Sequence, residues 1–146
     1  MLKVIQLAVV VAVALSGCGV VGPGARYNDA ISTVRFESMT STLEMSQSVA
    51  TFLQTGTSEQ AVEDTKKSVA RSLKDPTSAQ FRNVRLVPYM NGKVVCGEVN
   101  GKNSYGGYSG FTAFVAGTNQ SSLYDRQAGY PAIEAASNAG LMAACS

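Results

Sequence analysis

Residues 82–100 read RNVRLVPYMNGKVVCGEVN, two runs of strand-forming side chains separated by Asn91-Gly92. The first run, Arg82 to Tyr89, alternates in part, with Val84 and Leu86 set against Arg85 and Val87. After the turn, Val94-Val95-Cys96-Gly97-Glu98-Val99 returns as a second run that ends at Asn100. Asn-Gly tolerates the left-handed backbone of a tight hairpin loop, so these residues predict an antiparallel pair.

Downstream, the Gly-rich stretch Ser104 to Gly110 leads to a third expected strand, Phe111 to Ala116, and a fourth is expected at Ser122 to Arg126. Pro131 can open a final helix, because its missing N–H is unneeded in a first turn; that helix runs through Ile133, Ala135, Ala136 and Leu141 toward Cys145.

Upstream of the hairpin, Asp75-Pro76 ends a helix that starts with Thr57-Ser58-Glu59-Gln60. This is the pattern of a capping box, in which Thr57 bonds the third helical N–H and Gln60 reaches back. The helix is expected to reach about Leu73, burying Val62, Val69, Ala70 and Leu73, with Glu63 and Lys67 as an i,i+4 ion pair. Before Gly56, a stretch from Asn28 or Asp29 to about Gln54 lacks Pro and Gly, and Met45, Val49, Phe52 and Leu53 recur at helical spacing. On that face its first half offers only Ile31 and Val34. The whole predicts an α+β domain, with helices packed on one face of a small antiparallel sheet of three to four strands.

The N-terminus reads as an address. Met1 to Lys3 make a short basic start, and Val4 to Leu15 form an apolar run broken only by Gln6. That run falls short of the ~20 apolar residues that span a bilayer and suits an export signal. It ends in Leu15-Ser16-Gly17-Cys18, which resembles a bacterial lipobox. The resemblance implies cleavage after Gly17 and acylation of Cys18, with two or more chains giving stable attachment to a lipid bilayer. Residue 19 is Gly, not the Asp that resembles an inner-membrane retention mark, which favours the outer membrane with the domain in the periplasm. The expected organisation is a signal peptide (1–17), a lipidated flexible tether (18–27) containing Gly22-Pro23-Gly24, a helical segment (28–56) and an α+β domain (57–146).

Composition narrows the function. Apolar residues make up 45% and charged residues 15%, a globular balance rather than that of a disordered chain. Lys plus Arg number 12 against 10 Asp plus Glu, so the charge calls for no nucleic acid. Basic side chains do gather from Lys66 to Lys102 (Lys66, Lys67, Arg71, Lys74, Arg82, Arg85, Lys93, Lys102) against Glu63, Asp64, Asp75 and Glu98. They form either a solvated face or a patch for anionic headgroups or lipopolysaccharide. The chain contains no His. The commonest general acid-base and metal-ligating side chain is therefore missing, and we expect no enzyme, no cofactor and no metal site.

Export places the domain in an oxidising compartment, and with Cys18 used by lipid, Cys96 and Cys145 are left to form a disulfide. The alternative, Cys96 as a nucleophile, has no His to activate it.

Three segments stand out: Leu73-Lys74-Asp75-Pro76-Thr77-Ser78-Ala79-Gln80-Phe81-Arg82, Val95-Cys96-Gly97-Glu98-Val99-Asn100 and Lys102-Asn103-Ser104-Tyr105-Gly106-Gly107-Tyr108-Ser109-Gly110-Phe111. Together they resemble an uncharacterised small domain of short exported proteins from proteobacteria and their phages. The resemblance spans about residues 62–116 and the C-terminal Cys. It implies one sheet held to the preceding helix, supports the disulfide, and implies no shared chemistry.

Glu98 lies on the strand face of Cys96, so partial burial is expected, with Arg82, Arg85 or Lys102 as partner. Either an ion pair or a ligand-binding acid fits that position. The loop Tyr105-Gly106-Gly107-Tyr108 with Phe111 matches no phosphate-binding pattern. Its rings either fold over the sheet edge or form a recognition loop, since Tyr brings large contact area at low entropic cost. The functional expectation is a membrane-anchored module that binds an envelope protein, with receptor blocking (superinfection exclusion) as its concrete form. Alternatives are an accessory or pilot lipoprotein docking through the helix around Met45 to Leu53, and a small-ligand binder using Glu98 with Lys102.

Overall fold

A computed structural model describes residues 23–146. The expected signal peptide, Cys18 and the first residues of the tether lie outside the described residues. Helix α1 (Pro23–Phe52) and helix α2 (Ser58–Arg71) come first. A short 3₁₀ turn (Pro76–Ser78) leads into strands β1 (Gln80–Tyr89), β2 (Gly92–Asn100), β3 (Thr112–Ala116) and β4 (Ser121–Leu123), and helices α3 (Pro131–Ser137) and α4 (Ala139–Cys145) close the chain. The four strands form one sheet in the order β1-β2-β3-β4, with every neighbouring pair antiparallel. The expected α+β class with a small antiparallel sheet is the observed one.

The helices lie on both faces of that sheet rather than on one. Val94, Cys96 and Val115 pack with Met45 of α1 and with Leu141 and Ala144 of α4. The intervening residues Val95, Val99, Phe114 and Ala116 point the other way and pack with Val69 of α2. The cause is visible in β2, where Val94 through Gly97 are all buried. An unbroken apolar run is what a strand needs when both its faces are covered.

Helix α1 is already helical at Pro23, ahead of the expected cap at Asn28 or Asp29. Residues 23–27 of the expected tether are therefore helical; the fixed φ of Pro23 suits a first turn. Thr42, Met45, Ser46 and Val49 are its fully buried side chains, and Met45 joins the core cluster on the sheet. Helix α2 carries the full capping box: Gln60 N–H donates to Thr57 Oγ1 (3.3 Å) and Thr57 N–H to Gln60 Oε1 (2.9 Å). Its buried face is Ala61, Thr65 and Val69, while Val62 and Leu73 are only half-buried. Glu63 pairs with Lys66 rather than Lys67, and Lys67 with Asp64, both at i,i+3 and 2.9 Å.

In the hairpin the loop is Met90-Asn91, because Gly92 is already paired with Tyr89. Met90 takes the left-handed conformation (φ 50°). Gly92 is needed where it stands: a Cβ there would overlap the Ser46 carbonyl oxygen of α1. The expected single final helix is broken at Asn138, which is 2% exposed and whose side chain clamps the preceding loop. Its Nδ2 donates to the Asp125 carbonyl (2.7 Å) and its Oδ1 accepts the Asp125 N–H (2.8 Å). Cys96 and Cys145 are joined as a disulfide across 49 residues, tying α4 to the central strand β2.

Candidate functional site

Residues i, i+2 and i+4 of a strand share a face. On the face of β2 that bears Cys96, the following residues are Glu98 and Asn100. Helix α4 covers the Cys96 row, and its tail ends there at the disulfide. Beyond it Arg82, Lys102, Tyr108 and Phe111 are exposed, and these make the open end of the sheet.

Glu98 is the centre of the row. Its carboxylate takes Arg82 in a two-pronged pair, Nε to Oε2 and Nη2 to Oε1, each 2.9 Å. Asn83 Nδ2 adds a third bond to Oε2 at 2.9 Å. The Arg82 and Asn83 bonds hold the carboxyl below its ordinary titration range, and with about 29% of its side chain exposed Glu98 is a solvent-reachable but satisfied anion. Of the three expected partners, Arg82 is therefore the one that meets Glu98. The register explains the others. Arg82 stands directly across from Glu98, and a bulge between Arg82 and Arg85 then sets Arg85 opposite Cys96. There Arg85 Nη2 donates to the Cys145 carbonyl oxygen at 2.7 Å. Lys102 instead lies over the Tyr108 ring, 5.7 Å from its centroid.

Asn83 is the residue that sequence reasoning missed. It takes φ 54° inside the bulge, a conformation that Asn tolerates better than most residues. The bulge aims its amide at Glu98, as bulges re-aim side chains elsewhere. The signal was present in the imperfect alternation of Arg82-Asn83-Val84-Arg85.

The loop after β2 is a built turn. Asn103 Oδ1 accepts the N–H groups of Tyr105 (2.9 Å) and Gly107 (3.1 Å), and its backbone exchanges bonds with Gly106 and Gly107. Gly106 supplies φ 79°, which a side chain would resist. Lys102 and Tyr108 pair across the base of the turn, and Lys102 N–H also donates to Ser78 Oγ at 2.8 Å. The result presents Tyr105 at 97% exposure. Phe111 lies beneath the Arg82 guanidinium, 4.0 Å from its ring centroid, a cation–π contact. Tyr108 and Phe111 are thus held by cations against the sheet end, while Tyr105 stands clear of it.

The other expected docking surface, the helix around Met45 to Leu53, is occupied by the domain itself. Met45 and Val49 are buried in its own core, and Phe52 and Leu53 are half-buried. The exposed apolar side chains of α1 lie nearer its start, with Phe36 71% exposed. Among the described residues no helix is long and apolar enough to cross a membrane.

No family model, curated protein or solved structure matches this chain.

Proposed function

We propose that this chain is a lipid-anchored, non-enzymatic protein-binding module of the bacterial cell envelope. Cys18 carries the anchor, the outer membrane is favoured over the inner, and the disulfide-bonded domain stands in the periplasm. Its contact surface is the open end of the sheet, formed by Tyr105, Gly106, Gly107, Tyr108 and Phe111 beside the Arg82–Glu98 pair. Blocking an outer-membrane receptor is the concrete activity this surface suits.

The observation that carries the reading is Tyr105, almost fully exposed on a turn that Asn103 holds in shape. An aromatic ring left in water contributes nothing to the domain's own core. Mounted on a fixed turn, it loses little entropy when it meets a partner. The anchor rests on the lipobox-like Leu15-Ser16-Gly17-Cys18.

Crosslinking in cells followed by recovery from membranes tests the reading. The native protein should capture one outer-membrane protein, and Tyr105→Ala/Tyr108→Ala should lose it while keeping native circular dichroism. Capture undiminished by the double substitution overturns the reading.

A further inference from the structure

The two ends of the Cys96–Cys145 disulfide have different surroundings. Cys96 is fully buried on β2, in the cluster that holds Val94, Val115 and Leu141. Cys145 is only half-buried at the end of α4. A cavity of about 290 Å³ between that end of α4 and the sheet is lined by both cysteines. Arg85, Met142 and Ser146 also line it and are exposed, so solvent reaches it.

A disulfide is cleaved by a thiolate that attacks one sulfur while the other departs, so access decides which sulfur is attacked. A thiolate is an anion and is penalised on entering an apolar core, which closes the approach to Cys96. Cys145 is the sulfur the cavity exposes. It also secures the end of a helix with few other attachments. The seven residues of α4 are too few to stay helical alone. Their start is fixed to α1 by the bond from Gly140 N–H to Ser38 Oγ, whereas Met142 and Ala143 near the far end are exposed.

We propose that Cys145 is a thiol-exchange site in the native fold, and that exchange there releases the C-terminal end of α4 from the sheet. The co-reactant is a dithiol. Its thiolate bonds to Cys145 Sγ, the Cys145–Cys96 bond breaks, and Cys96 Sγ departs with the electron pair and takes a proton from solvent in the cavity. The second thiol of the co-reactant then attacks the first and frees Cys145 as a thiol. The cysteine pair has gained two electrons and two protons, and the co-reactant has become a disulfide. Release uncovers Met45, Val94 and Val115, so the oxidised and reduced chains present different surfaces. The protein-binding reading above is not needed for this step.

The full chain carrying Cys18→Ser, so that Cys96 and Cys145 are its only cysteines, tests the proposal in detergent micelles. Reduced glutathione, a monothiol, is added, and the reaction is stopped in acid and alkylated. Peptide mass spectrometry should find glutathione on Cys145 and the alkyl group on Cys96. The rate should be proportional to glutathione and level across urea concentrations that leave the fold intact. Dithiothreitol should carry the reduction to completion. In the adduct the amide hydrogens of α4 should exchange about tenfold faster or more, with those of β2 and β3 unchanged. Glutathione on Cys96 first, a rate that climbs with urea in step with global unfolding, or a Cys145 adduct with α4 exchange unchanged overturns the proposal.

Discussion

Glu98 shows how one side chain can be expensive to place and still be well held. Its carboxylate receives three hydrogen bonds from two consecutive residues of β1, and one of those residues, Asn83, adopts a left-handed backbone to reach it. Because Arg82 and Asn83 lower the Glu98 pKa in the folded state, the unfolded chain binds its proton first as acid is added. Stability from this site is therefore fully present above the ordinary glutamate range and is lost as pH falls through the lowered value. Glu134 behaves the same way, chiefly through the hydrogen bond from Tyr124. Denaturant unfolding followed from about pH 6 to pH 3, the range in which free carboxylates titrate, should show native stability declining. In Glu98→Gln that decline should be shallower, with the Glu134 part remaining. An unchanged slope would mean that the Arg82–Glu98 pair is spent on geometry rather than on stability.

At the scale of elements, close approach governs the fold more than propensity does. Gly140 opens α4 where it crosses α1, and a Cβ there would overlap Thr42 Oγ1 and the Ser38 carbonyl oxygen. Ser38 uses the space on both sides: its Oγ donates to the Ser137 carbonyl oxygen (2.8 Å) and accepts the Gly140 N–H (3.0 Å). Gly140→Ala must push the helices apart, and a loss of about 2 kcal/mol in chemical unfolding is expected from overpacking of this kind. Elements specified by local bonding were legible in the sequence. The Thr57–Gln60 box starts α2, and Asn91-Gly92 announced the β1–β2 hairpin. The errors lie where a distant segment decides. The hairpin loop sits one residue earlier than expected because Gly92 must pass against Ser46. On the inner face of α2 the sequence names Val69, which is buried, and Val62 and Leu73, which pack half-buried against the same core, but not Thr65, a polar residue buried there with its hydroxyl unpartnered. Glu98 and Arg82 could be named from the strand pattern alone, but Asn83 enters through a bulge that only the pairing of two strands reveals.

At the scale of the whole molecule, the disulfide ties the C-terminal helix covalently to the central strand. Cys96 and Cys145 lie 49 residues apart, so the cross-link restricts the unfolded chain by about 4 kcal/mol on loop-entropy grounds. Unfolding in urea with and without reductant should differ by about that amount, with α4 loosening first because its attachment to β2 runs through Cys145. A reduced form as stable as the oxidised one would show that the core packing of Leu141 and Ala144 suffices to seat α4. The sheet's two covered faces follow from the same composition that hid them. Val94 through Gly97 carry no polar residue to mark an outside, so the sequence predicts a strand without saying how many layers lie around it.

The length of α1 has a mechanical consequence. Its 30 residues make a rod of about 45 Å at ~1.5 Å per residue, of which the far half is keyed into the core at Met45 and Val49. A pull on its near end runs along the helix axis into that core, and Gly140 and the disulfide carry it on through α4 to β2. In the lipid-anchored arrangement proposed above, the rod adds its length to the distance between the anchor and Tyr105, and so to the standoff at which the proposed contact is made.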